Sequence, residues 1–399
     1  MKVAYRPPVR DEADHAAPPA ATVAPAAAMT AVGTVVSAPA GNGSLAPAAG
    51  LPKGVGLLER LENICLDQGL SGLAGRIDDM VGFVATDLAA FEIELASLPR
   101  HPRRVGKAAN HLLDVGGKRL RPLCLALASR LGSGFDERAL DLAIAVELVH
   151  SATLLHDDVV DYADQRRGTP TARSIYGNAA SIFAGDWLLI EALRRVRKAS
   201  YPTLLGDLLD VIEEMIFAES LQLECRGRLG MNRDSYFQVA EGKTASVFRW
   251  ALRAGGVAGG LGAEAQDALA LYGQNLGVTF QAVDDLLDLT GDPESTGKDL
   301  FTDLREGKMT LPLIFALERD GRTREVVEEV LALPENAPIP RRIAAELVRL
   351  LRTTNGVADT LELARHHSQT AIEALSAVPQ GPAHLALATV AEAIVDRDV

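Results

Sequence analysis

Aromatic residues are scarce in this chain, at 5% of 399 residues, while apolar residues as a whole reach 48%. A core with so few rings must be packed with small and aliphatic side chains, and the abundance of Ala and Leu favours helices over sheets. Cysteine is rarer still. Cys65, Cys124 and Cys225 stand far apart with no metal-ligand spacing, which argues against a zinc site and reads as buried thiols in a reducing compartment. Excess positive charge is missing too. A formal charge of −13, with no basic run to offset it, argues against a nucleic-acid partner. An anionic substrate stays open, because local Arg and Lys clusters can reverse the sign inside a cleft. No uncharged run approaches bilayer length, so no transmembrane segment is expected, and the start Met1-Lys-Val-Ala-Tyr-Arg-Pro-Pro lacks an apolar signal core. A cytoplasmic protein is the expectation. No Ser/His/Asp set is evident either, so a nucleophile must come from a substrate.

What is present falls into two parts. Residues 1–55, rich in Ala, Pro and Gly, cannot bury enough surface to offset their ordering entropy, and are expected to be disordered. Residues 56–399 read as one all-helical domain, beginning with helical spacing at Leu57, Leu58, Leu61, Ile64 and Cys65 and again from Ile77 to Phe91. No strand alternation is strong enough to predict a sheet. The glycines from Gly255 to Gly262 are expected to bend the chain between two helices.

The chemistry concentrates in a few stretches. Leu154-Leu-His-Asp-Asp-Val-Val-Asp161 follows an apolar run and places Asp157 and Asp161 four residues apart, on one helix face, with Asp158 beside them. Stacked carboxylates repel unless a cation sits among them, and a hard divalent ion such as Mg²⁺ suits an all-oxygen set. Arg166 and Arg167 follow at once, and His150 lies two turns earlier on the same helix. Gln281-Ala-Val-Asp-Asp-Leu-Leu-Asp288 repeats the arrangement with Asp284, Asp285 and Asp288. One such cluster could be chance in an acidic chain; two in apolar helices are hard to explain as surface. Basic residues recur around them: Lys118, Arg119 and Arg121 at a helix start, where amide groups favour phosphate, then Lys243, Lys298 and Lys308. Gly242-Lys-Thr244 is not a nucleotide loop, since position 237, where a glycine is needed, is Phe. Taken together these residues point to a Mg²⁺-dependent helical enzyme that removes diphosphate from an apolar molecule.

From about residue 76 onward the chain resembles the trans-isoprenyl diphosphate synthases, the polyprenyl synthetase family, and most of all their long-chain members. The resemblance rests on Gly116-Gly-Lys-Arg-Leu-Arg-Pro122, His150, the first motif with Arg166 and Arg167, Lys243-Thr244, Gln281 with the second motif, and the two late lysines. It implies an antiparallel helical bundle around a deep central cavity, usually a homodimer. It also implies that Asp157, Asp158, Asp161, Asp284 and Asp288 bind Mg²⁺ and the allylic diphosphate, with Asp285 as the adjacent motif carboxylate. Arg166, Lys243, Thr244, Gln281 and Lys298 would contact the allylic substrate, and Lys118, Arg121, His150 and Arg167 isopentenyl diphosphate. Ala152 and Thr153, one turn below the first motif, are not aromatic, so a product of C20 or longer is expected. Two other readings stay open. A class I terpene cyclase would normally replace the second motif, and a silent subunit of a heteromeric synthase would usually lose its acidic motifs.

Overall fold

The computed structural model describes residues 71–166, 168–290, 300–334 and 337–396. The Ala/Pro-rich extension and the segment Leu57 to Cys65 lie outside them. The described residues belong to one compact unit, and almost all of its regular structure is helix.

The first half comprises α1 (Ser71–Ala96), α2 (Arg104–Val115), α3 (Leu120–Ser129), α4 (Glu137–Val160), α5 (Ala172–Tyr176), α6 (Asn178–Ala199) and α7 (Pro202–Cys225). Next come α8 (Arg233–Ala240), a π-helical turn at Glu241–Ala245, α9 (Ser246–Ala258) and α10 (Ala263–Thr290). The C-terminal part holds α11 (Thr302–Arg305), α12 (Leu311–Arg319), α13 (Gly321–Leu331), α14 (Arg341–Thr353), α15 (Gly356–Ala374) and α16 (Pro382–Val395).

Helix α4 is the central element. Asp136 caps it by accepting from the amides of Arg138 at 3.0 Å and Ala139 at 2.9 Å. Its residues from Ala139 to Val149 are almost all buried, as expected of a helix that is apolar on most faces. By length and composition alone α4 could cross a bilayer, but 72% of its most apolar window is buried against protein, the pattern of a core helix. Ala-rich surfaces let helices approach closely. A Cβ added at Gly185 of α6 would meet the His156 ring at 2.3 Å, and one at Gly255 of α9 would meet the Leu125 carbonyl of α3 at 2.4 Å.

Two expectations need correction. Gln165–Arg166 and Thr169–Pro170 pair as a minimal antiparallel ribbon just after the first motif, too short for period-2 patterning to reveal. The predicted glycine bend begins late: Gly255 and Gly256 stay inside α9, where their missing side chains serve packing, and the chain turns only from Gly259.

A separate apolar cluster fixes residues 300–310 ahead of α12. Phe301, Leu304, Met309 and Leu311 are buried together with residues of α12, α13 and α14. Lys308, between two of these anchors, is thereby held at one end of the bundle.

Candidate active site

The second acidic motif meets a cleft whose Lys243 and Lys308 also pair with Asp157 and Asp161 of the first motif, and the members of the two motifs have different surroundings. Asp157 keeps 16% of its side chain exposed and lies 3.5 Å from the Lys243 ammonium. Burial holds the Asp157 carboxyl above the usual range, with Lys243 opposing that rise. Asp158 points the other way, buried, and accepts from Arg166 through Nε at 2.9 Å and Nη2 at 2.8 Å. Its second oxygen, Oδ2, is buried without a hydrogen-bond partner. Asp161 caps the C-terminus of α4 and pairs with Lys308 at 2.7 Å and Arg226 at 3.4 Å.

In the second motif Asp284 and Asp285 both line the cleft, and Asp284 is the half-buried one of the three aspartates. Asp285 is 2% exposed, accepting from Gln281 Nε2 at 2.8 Å and from the Leu311 amide at 3.0 Å. Burial pushes its carboxyl up to about 7, the nearby Asp303 adds to this, and those two donors oppose it. Asp288 accepts from the Thr302 amide at 3.0 Å and from the Asp303 amide, at the start of α11. Of the three aspartates, Asp284 and Asp285 reach the cleft lining, and Asp288 does not. Asp285 and Asp288 are buried and bind backbone donors of the following segment, which the linear spacing of the motif could not reveal.

The basic groups divide in the same way. Lys243 contacts Glu219, Asp157 and Gln222, the last at 3.0 Å. It stands on the π-helical turn, a local widening common at functional sites. That turn also presents Thr244, whose hydroxyl donates to Gln281 Oε1 at 2.9 Å. Burial works against the charge on Lys243 and on Lys308, yet neighbouring carboxylates hold both ammoniums above the ordinary lysine range. Arg121 lies with its guanidinium 4.7 Å from the centre of the Phe248 ring. Burial lowers it to about 10, and Glu147 and Asp284 partly offset this. Lys118 and His150 are half-buried nearby in sequence on α3's approach and on α4.

Arg119 was expected among the phosphate contacts, and its side chain turns inward. Its side chain is 4% exposed and paired with Glu92 and Glu147, so it faces the core. Arg167 and Lys298 lie outside the described residues. Thr153 keeps part of its surface open and donates to the His150 carbonyl at 2.8 Å, whereas Ala152 is wholly buried.

Sequence reading missed three contributors. Glu219 and Gln222, spaced i,i+3 on α7, both reach Lys243, and that spacing was their only signal. Arg226 sits just past α7 and ties Asp161, the Val160 carbonyl at 3.2 Å and the Glu306 carbonyl at 2.6 Å. Nothing in its local sequence marks it.

The cleft between these groups, about 180 Å³, is lined by Lys243, Thr244, Gln281, Asp284, Asp303 and Lys308 among others. Among the described residues no three acidic, His or Cys side chains converge at metal-ligand distance. The donor set nevertheless suits a hard cation. It is carboxylate throughout, includes a buried oxygen without a partner on Asp158, and has Lys243 and Lys308 ammoniums against its acids.

A polyprenyl synthetase family model matches residues 102–345. Component 2 of heptaprenyl diphosphate synthase from Geobacillus stearothermophilus is 32% identical, over 81% of this chain and 99% of that protein. Octaprenyl diphosphate synthase from Escherichia coli is 33% identical, over 74% of this chain and 90% of that protein. Among solved structures, the Caulobacter crescentus polyprenyl synthase complexed with calcium and isoprenyl diphosphate superposes with a TM-score of 0.74 at 34% identity, over 80% of this chain and 97% of that one. With the family model spanning more than half of the chain and these relatives matched almost end to end, the protein belongs to the polyprenyl synthetase family.

Proposed function

We propose that the protein joins isopentenyl diphosphate to an allylic diphosphate (geranyl, farnesyl or geranylgeranyl), releasing diphosphate and leaving an all-trans polyprenyl diphosphate of C20 or longer. The observation that carries this reading is the meeting of Asp284, Lys243, Thr244, Gln281 and Lys308 on one cleft, with Asp157 3.5 Å from Lys243. A terpene cyclase needs no second diphosphate pocket, and Lys118 and Arg121 would then be unexplained.

Asp157, Asp158, Asp161 and Asp284 are the groups that would hold Mg²⁺, and Asp288 would join them by releasing the amides of Thr302 and Asp303. Bound there, Mg²⁺ would neutralise the allylic diphosphate and make it a better leaving group. Lys243 and Lys308, pulled away from Asp157 and Asp161 by a diphosphate, would bind its oxygens. Arg166 and Lys298 would add charge for the same group, and Thr244 and Gln281 would orient it. Lys118, Arg121, His150 and Arg167 would hold isopentenyl diphosphate so that its double bond attacks the allylic cation, after which a proton is lost. The apolar wall of α4 would keep water from that cation.

Thr153 would set part of the cavity wall beneath the first motif, beside Ala152. Purified protein given farnesyl and isopentenyl diphosphates is expected to release products of C20 and above, sized by chromatography. Farnesyl diphosphate left unextended would sink the proposed reaction. Thr153→Phe and Ala152→Phe are expected to shorten the product, and unchanged length would remove α4 from the wall.

Exposed apolar side chains support a second copy as partner. Ile182, Phe183 and Ile190 recur on one face of α6, and Leu209, Ile216, Phe217 and Leu223 on one face of α7, with Phe183 58% and Phe217 66% exposed. A monomer rarely leaves such a contiguous surface to water. Light scattering is expected to give twice the chain mass, with Ile216→Asp/Phe217→Asp giving one chain. The Geobacillus relative is named as one component of its synthase, so a heteromeric assembly is the second reading. A chain active alone would exclude the silent-subunit form of it. The cytoplasm is the proposed compartment, on the grounds of cysteine usage.

A further inference from the structure

Arg119 sits between Lys118 and Arg121, yet it is the member of that basic segment that turns inward. Its backbone is left-handed, at φ 51° and ψ 26°, immediately before the first residue of α3. A non-glycine residue there carries a steric penalty. Something must hold it, and two carboxylates do. Nε donates to Glu92 Oε1 at 2.9 Å, and Nη1 donates to Glu147 Oε1. The guanidinium carbon also lies 5.8 Å from the centre of the Phe91 ring. Glu147 is 6% exposed and Glu92 20%, so the pairs are largely shielded from water. Breaking one partner of such a buried set is far more costly than losing a surface ion pair.

The position of this set matters more than its strength. Glu92 belongs to α1, upstream of the stretch matched by the family model, and Glu147 to α4, three residues before His150. Arg119 therefore pins the segment that carries Lys118 and Arg121 to two helices at once. A planar guanidinium with donors on two edges can span both carboxylates, and a lysine ammonium cannot reach them in the same geometry.

We propose that Glu92 and Glu147, acting through Arg119, are positioning residues for the isopentenyl diphosphate pocket: they set the backbone turn that aims Lys118 and Arg121. This rests on the proposed function. It predicts a selective loss. In the full-length protein, Glu92→Gln and Glu147→Gln are expected to raise KM for isopentenyl diphosphate about tenfold, the scale of a misplaced binding group. KM for the allylic substrate should stay within about twofold. Arg119→Lys should behave like the glutamine variants, because charge without the fork does not restore the turn.

Thermal unfolding followed beside the kinetics separates this from general damage, since a merely structural role would move both KM values together. If Glu147→Gln does not fold, Glu92→Gln, at the outer edge of the set, decides alone. Equal changes in both KM values, or none, in a wild-type background that consumes isopentenyl diphosphate, would overturn the positioning role only. A wild-type protein that consumes none would overturn the proposed function and this inference with it.

Discussion

Asp157→Asn is expected to lower kcat by about a thousandfold, which corresponds to about 4 kcal/mol of lost transition-state stabilisation, while the fold survives. Asp157 keeps 16% of its side chain exposed and stands within reach of Lys243 and beside Glu219. Asn keeps the shape but loses the charge that a divalent ion and the departing diphosphate require. The stability side has the opposite sign. Burial raises the Asp157 carboxyl above its usual range in the folded protein, so its ionised form costs stability as pH rises through the folded value. Replacing it with a neutral group should leave the melting temperature unchanged or higher near neutral pH. Steady-state incorporation of labelled isopentenyl diphosphate and a thermal melt test both halves. Activity within tenfold of wild type would remove Asp157 from the reaction, and a large drop in melting temperature would mean that it holds the fold instead.

Gly277→Ala should damage the same site from behind. An added Cβ at Gly277 of α10 would lie 2.3 Å from the Ala245 Cα, in the π-helical turn that carries Lys243 and Thr244. The obstacle is backbone, so it cannot swing aside as a side chain would. Helix propensity favours Ala over Gly by about 1 kcal/mol, but overpacking costs about 1–3 kcal/mol and more against a fixed main chain. A net loss of about 2 kcal/mol is expected, lowering the melting temperature by about 3 °C. The turn must move away from α10 to relieve the contact. That separates Thr244 from Gln281, now 2.9 Å apart, and shifts Lys243 relative to Asp284. We expect at least a tenfold loss of kcat/KM for the allylic substrate. A stable variant with full activity would show that the spacing of α10 and the turn is not critical.

Much of this site was legible in the chain. Asp157 and Asp284 stand out because an apolar helix rarely carries paired carboxylates, and the Lys243-Thr244 pair follows from its place ahead of an apolar run. The helical class followed from the scarcity of aromatic residues, the abundance of Ala and Leu, and the spacing of the apolar positions. What escaped notice were residues whose partners are distant. Arg226 looks like any arginine after a helix until Asp161, 65 positions away, is beside it. The π-helical turn has no sequence period of its own, and only its packing on α7 and α10 defines it.

By itself, then, the sequence determined the helical class, the doubled acidic motif, the family and the chemistry those residues can support, because helix periodicity and charge are local properties. Tertiary structure alone decided which partners each charged group meets. A helix period says that two residues lie on different faces, and only neighbours remote in sequence determine which face meets water. Asp285 is turned to the Leu311 amide, 26 residues on, Asp288 to the start of α11, and Arg119 to Glu92 and Glu147. Each is a charged group taken out of water, stable there because a distant donor or counter-charge comes to meet it.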